Sequence, residues 1–185
     1  MAEYYFMSQL PSLDGIGEQM ALPIAEERFQ ELCHRFLGKK AQKEIENLTL
    51  IPSKSPEKSS SALVEAWNEG ERNLRLALGK VRADKLKKSF DWENGYLPSE
   101  LIKVARMAVE MESPMEAEKF LNQYRMDFLE SLRPMDTFCE DSVFYYGLKL
   151  KLMMRIRQFD EALGEAAYKE IYNSIMNGDR LEGLQ

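Results

Sequence analysis

Along most of this chain an apolar residue returns every three or four positions, the spacing that lines side chains along one face of an α-helix. Phe29, Leu32, Cys33, Phe36 and Leu37 fall at i, i+3, i+4, i+7 and i+8, with Pro23 suited to the first helical position and Gly38 to the stop. Ala41, Ile45 and Leu48 mark a shorter second helix. Ser61 reads as the N-cap of a long third helix whose inner face carries Leu63, Trp67, Gly70, Leu74, Ala77, Leu78 and Val81. Gly70 costs that helix ~1 kcal/mol against alanine, which points to close approach by another helix there.

Pro98 opens a fourth helix bearing Leu101, Val104, Ala105, Ala108 and Met111. Ser113-Pro114-Met115-Glu116 starts a fifth: serine caps, proline takes the first turn, and Glu116 reaches back to the cap amide. Its apolar face runs through Ala117, Phe120, Leu121, Tyr124, Phe128 and Leu132 until Pro134. A last helical region extends from Asp141 to Asn177, with a kink or break at 158–160 and Gly178 as its end. The expected fold is therefore all-α, about six amphipathic helices in a bundle or partial funnel, forming one domain over 1–185.

Three stretches fall outside this pattern. Residues 1–22 read as an irregular aromatic arm built on Tyr4, Tyr5 and Phe6, with a short strand over 4–10 as the alternative. Residues 52–61 hold two prolines and five serines and no apolar residue, the composition of a mobile loop. Residues 179–185 read as a frayed tail. No fixed period of roughly 30 to 45 residues recurs, which argues against a solenoid.

Composition narrows the functional classes. The chain is 44% hydrophobic and 30% charged, a globular balance, and its net charge of -6 is unlike that of a nucleic-acid binder. No apolar run approaches the ~20 residues of a membrane span, and Met1-Ala2-Glu3 opens without a basic, then apolar, secretory signal. The expected location is cytoplasmic, with Cys33 and Cys139 as buried, reduced thiols.

The groups that do chemistry are sparse. One histidine, His34, stands in a Glu31-Leu32-Cys33-His34 run; di-iron bundles need that Glu-x-x-His pair twice. Two cysteines and one histidine in distant segments lack zinc-ligand spacing. Gly15-Ile16-Gly17 has no Gly-Lys-Ser/Thr ending, so it is not a phosphate loop. Glu110, Glu112, Glu116 and Glu118 read as a solvated acidic face rather than acid–base machinery. The expectation is no catalytic residues, metal, cofactor or small-molecule substrate.

Two basic stretches have both a plain and a functional reading. Arg72, Arg75, Lys80, Arg82, Lys85, Lys87 and Lys88 run toward the end of the third helix. They complement the negative end of its dipole, or form a docking surface for an acidic partner or a lipid headgroup. Lys149, Lys151, Arg155 and Arg157 flank Met153 and Met154, either as the wet side of a core helix or as a partner site.

Tyr4-Tyr5-Phe6 with Leu10-Pro11-Ser12-Leu13, then Phe29-x-x-Leu32-Cys33, resembles an uncharacterised bacterial family encoded beside V-type ATPase genes. Trp67-x-x-x-Glu71-x-Asn73-Leu74-Arg75 and Arg82-Ala83-Asp84-Lys85-Leu86 are similar to that family too. More remotely, the family resembles the C-subunit of the A/V-type rotary ATPases, whose eukaryotic form is the d-subunit. This is an all-helical funnel that sits on the membrane rotor ring and receives the central stalk. The resemblance is densest at 4–13 and 67–86, and the chain is short for a complete funnel of that type. It implies a non-catalytic structural component that couples stalk to ring, peripheral to the membrane through its protein partners. Arg72, Arg75, Arg82, Lys85 and Lys88 are then the expected docking residues. A helical interaction adaptor unrelated to proton transport, and an enzyme of unrecognised type, are the competing readings.

Overall fold

A computed structural model describes residues 2–17, 20–53, 59–90, 97–158 and 161–182, and among them every regular element is an α-helix. Eight occur: α1 (Ala2–Gln9), α2 (Glu26–Phe36), α3 (Lys39–Glu46), α4 (Ala62–Lys85), α5 (Ser99–Glu110), α6 (Pro114–Ser131), α7 (Glu140–Arg157) and α8 (Glu161–Glu182). The all-α class is as the periodicity predicts, with two helices more than the expected six.

One extra helix corrects the reading of the N-terminus. Tyr4, Tyr5 and Phe6 lie on α1, neither an irregular arm nor a strand. Phe6 is fully buried, with ring centroids 6.5 Å from Phe29 and 5.8 Å from Phe36. An eight-residue helix is too short to be stable alone, and this packing on α2 supplies what its length does not. The other extra helix comes from the break at Gln158, which divides the last helical region into α7 and α8. Phe159 and Asp160 lie outside the described residues.

The helix signals locate most boundaries. Ser61 Oγ accepts from the Val64 amide at 3.2 Å, and Ser113 Oγ from the Glu116 amide at 3.3 Å, so both caps form as read. Pro114 holds the first helical position; among the described residues no reciprocal bond joins the Glu116 carboxylate to the Ser113 amide. Pro23 does not open α2, which starts three residues later behind Ala25. Gly38 precedes α3 as its N-cap residue rather than ending α2 in a left-handed turn. Gly178 lies within α8, and helix continues over residues 179–182 that composition assigned to a frayed tail. Half of the expected 52–61 loop (54–58), and residues 91–96 and 183–185, are outside the described residues.

Two apolar cores share α4. Its first turns, through Leu63 and Trp67, join Phe6, Phe29, Leu32, Ile45 and Leu48 around α7. Its later turns, through Leu74, Ala77 and Leu78, pack on Leu101, Ala105 and Ala108 of α5 and Leu121 of α6. Helix α7 is the hub: every residue from Ser142 to Leu150 is buried, so it has no amphipathic face.

Gly70 sits where another helix comes close, as its place in α4 predicts. A Cβ there would lie 2.3 Å and 2.4 Å from Cε1 and Cζ of Phe128 on α6, whose ring stacks on Trp67 at 6.1 Å. Overpacking costs ~1–3 kcal/mol, against ~1 kcal/mol of helix propensity gained. Gly70→Ala is therefore expected to lower stability by about 1 kcal/mol in urea unfolding, and Phe128→Leu in the same chain to restore it. A more stable single variant would mean that the Phe128 ring swings aside without loss.

Candidate interaction surfaces

The basic residues of α4 do not form one patch. Arg72 lines a pocket between α3 and α4. Arg75 donates from Nε to Glu71 Oε1 at 2.9 Å and so supports an internal charge. Arg82 and Lys85 lie about 15–20 Å beyond Arg72 along the axis, at 1.5 Å per residue, and Lys88 follows the end of the helix. Lys85 Nζ donates to the Val109 carbonyl at 3.0 Å, capping the last turn of α5.

The end of α4 has a defined stop. Lys87 holds the left-handed conformation usual for glycine, at φ 53°. The Lys87 amide bonds the Asp84 carbonyl at 3.1 Å, and the Lys88 amide bonds the Ala83 carbonyl at 3.0 Å. These are the paired bonds of a Schellman motif. Leu86, 65% exposed, stands among Arg82, Lys85, Lys87 and Lys88, an apolar centre with a basic rim.

The charges of the basic stretch of α7 are taken up by carboxylates and carbonyls of the chain itself. Lys149 is buried and donates to Asp14 Oδ1 at 2.5 Å and Glu130 Oε1 at 2.6 Å. Lys151 pairs with Glu26, Arg155 with Glu118, and Arg157 donates to the carbonyls of Gly17 and Met20. These bonds fasten α7 to α2, α6 and the segment after α1. Glu118 thereby leaves the solvated acidic face on which composition placed it.

A second internal charge escaped the sequence altogether. Glu71 on α4 and Arg125 on α6 are both buried, joined at 3.0 Å (Nε to Oε2) and 3.2 Å (Nη2 to Oε1). Asn122 Oδ1 takes another Arg125 proton at 3.1 Å. The apolar period hides both residues; the only available signal was a charged residue on each helix's inner stripe.

The remaining reactive groups are quiet. Burial pushes the Cys33 thiol up to about 12, which removes its nucleophilic form at neutral pH. Cys139 is half-buried rather than buried, 3.4 Å from Ser142 Oγ. His34 is exposed and reaches Glu46 Oε1 at 3.3 Å, linking α2 to α3. Among the described residues no three His, Cys, Asp or Glu side chains gather where they could hold a metal ion. Nor is any described helix long and apolar enough to cross a membrane. A pocket of about 150 Å³ beside Leu10, Asp14, Arg133, Tyr145 and Lys149 has its two cations already bonded to Asp14.

Helix α8 presents an exposed apolar stripe. Every residue from Gly164 to Met176 is exposed. Tyr168, Ile171, Tyr172, Ile175 and Met176, each about half to two-thirds exposed, recur at three- and four-residue spacing, and Tyr168 stacks on Tyr172 at 6.2 Å. Lys169 and Glu165 pair at 2.6 Å. In sequence, a stripe that faces a partner protein has the same period as one that faces the chain's own interior.

Residues 88–179 match the model of a family described as a protein of unknown function (DUF2764). The match begins just past α4 and takes in α5, α6, α7 and most of α8, leaving α1 to α4 outside it. The description names no activity and no rotary ATPase. No curated protein matches the chain, and no solved structure does.

Proposed function

We propose that this protein is a non-catalytic helical component that works by being held between other proteins, and that these are the central stalk and rotor ring of a bacterial V-type ATPase. The observation that carries the assembly reading is the uncovered apolar face of α8. Most helical stability in proteins comes from packing an amphipathic face, and the described body of this chain gives α8 none. A partner that covers Tyr168, Ile171 and Ile175 supplies the missing contacts, in the manner of a helix laid into a groove. The identity of that partner rests on the resemblance at 4–13 and 67–86, with the basic end of α4 as a second contact. A helical adaptor unrelated to proton transport uses the same face for a different protein.

Affinity recovery from native membranes separates these. Wild-type chain is expected to bring down stalk and ring proteins. Ile171→Asp with Ile175→Asp is expected to lose most of that recovery, since each buried aliphatic anchor contributes ~1.5–3 kcal/mol. Its melting temperature should stay near that of the wild type, because neither side chain packs on the body. Equal recovery by the variant ends the assembly reading; recovery of other proteins without ATPase components favours the adaptor.

A further inference from the structure

The polar face of α3 meets that of α4 across a pocket of about 370 Å³, separate from both α8 and the basic end of α4. Lys40, Lys43 and Asn47 face it from α3 and the residue after it; Asn68 and Arg72 face it from α4, and Thr49 closes one side. Among the described residues, three cations thus share the concavity with one carboxylate, Glu44. That carboxylate is already engaged: Ser59 Oγ reaches it at 3.1 Å, the Ser60 amide at 3.1 Å and Ser60 Oγ at 2.5 Å. Burial acts to raise its pKa, but these bonds and the charge of Lys40 outweigh burial and hold it below the usual carboxylate range. Lys43 and Arg72 make no hydrogen bond or ion pair among the described residues, while Arg75, and Lys149, Lys151 and Arg155 of α7, are all paired.

In a chain with a net charge of -6, a pocket with two positive charges in excess is a local feature rather than part of a basic surface. Like charges held in one concavity repel, and a multivalent anion relieves that repulsion. The guanidinium of Arg72 offers paired N–H donors to an oxyanion; Lys40 and Lys43 add point charges, and the amides of Asn47 and Asn68 add neutral donors. No aromatic ring is among the described residues that line the pocket, so none of them stacks a nucleobase.

We propose that this pocket binds a compact multivalent phosphate, of the size of pyrophosphate, through Arg72, Lys43 and Lys40. The shared chemistry is a phosphate carrying at least two negative charges, whether free in solution or as a phosphomonoester lipid headgroup. The site is independent of the assembly reading, and its test makes no use of ATPase components.

Pyrophosphate titrated into the full chain at low salt, followed by amide NMR, is expected to give saturable shifts at Lys43, Asn68 and Arg72. Lys43→Ala with Arg72→Ala is expected to weaken binding by about tenfold or more, with the far-ultraviolet circular dichroism unchanged. Lys40→Glu, at an exposed position, provides a second variant that leaves Arg72 in place and should weaken binding in the same direction. Flotation with phosphatidylcholine vesicles doped with phosphatidic acid distinguishes the sources. Binding that pyrophosphate competes away assigns the headgroup, and pyrophosphate binding without flotation assigns the free anion. Absence of saturable shifts, or equal affinity in both variants, overturns the proposal.

Discussion

Replacing Glu71 by alanine is expected to destabilise the protein by ~3–5 kcal/mol, because it leaves a buried guanidinium without its counter-charge. Glu71 and Arg125 have side chains only 3% and 8% exposed, and two parallel hydrogen bonds join them. Without Glu71, Arg125 retains Asn122 at 3.1 Å and Glu118 at 3.5 Å, and Glu118 is also the partner of Arg155. In a chain of this size each kcal/mol corresponds to ~2–4 °C, so the melting temperature should fall by about 6–20 °C. Replacing both partners, Glu71→Leu with Arg125→Met, is expected to cost less than Glu71→Ala alone, since the desolvation of both charges is removed together. A loss below about 1 kcal/mol in the single variant would show that water reaches Arg125 once the carboxylate is gone.

That pair also marks where sequence reading stopped. Apolar spacing located α2 to α6 and the α7 region, since burial of a helical stripe is written every three or four residues. Ser61 and Ser113 were legible as caps because capping is local chemistry between residues three apart. Gly70 was legible because a glycine inside a strong helical pattern needs a packing reason. Helix α1 was not legible: Tyr4, Tyr5 and Phe6 have no period of their own, and only the distant rings of Phe29 and Phe36 hold Phe6 in place.

The interaction surfaces divide the same way. Arg72, Arg75, Arg82, Lys85 and Lys88 are neighbours in sequence, but their partners are not. Arg75 belongs to Glu71, Lys85 to the end of α5, and Arg72 to a pocket with Lys40 and Lys43, residues some thirty positions earlier. Charge spacing along one helix says which side chains share a face; it says nothing of which carboxylates another helix brings up to them.

The second large effect is expected at Lys149, where Asp14 and Glu130 are the carboxylates. Asp14→Asn with Glu130→Gln keeps the shapes and the acceptor oxygens but leaves an ammonium only 8% exposed without a counter-charge. Because Asp14 is half exposed and water reaches that side, the loss at pH 7 should fall just below the range for fully buried pairs, about 2–3 kcal/mol. Hydrogen bonding from Lys149 holds Asp14 below its ordinary pKa, with burial opposing. For Glu130, burial pushes upward, but the bonds from Lys149 and Tyr145 outweigh it and the pKa is again lowered. A lowered carboxylate contributes stability that is fully present above its unfolded value, near 4, and lost as pH falls through the folded one. Lys149 is shifted the other way, upward, so its share is intact at neutral pH and is lost only in strong alkali. The gap between wild type and the double variant should therefore hold from about pH 7 to pH 5 and close below about pH 4, as the wild-type carboxylates protonate. Urea unfolding at a series of pH values measures it. A gap that persists undiminished to about pH 2 would mean that the two substitutions act through packing, and that Lys149 is not held by charge.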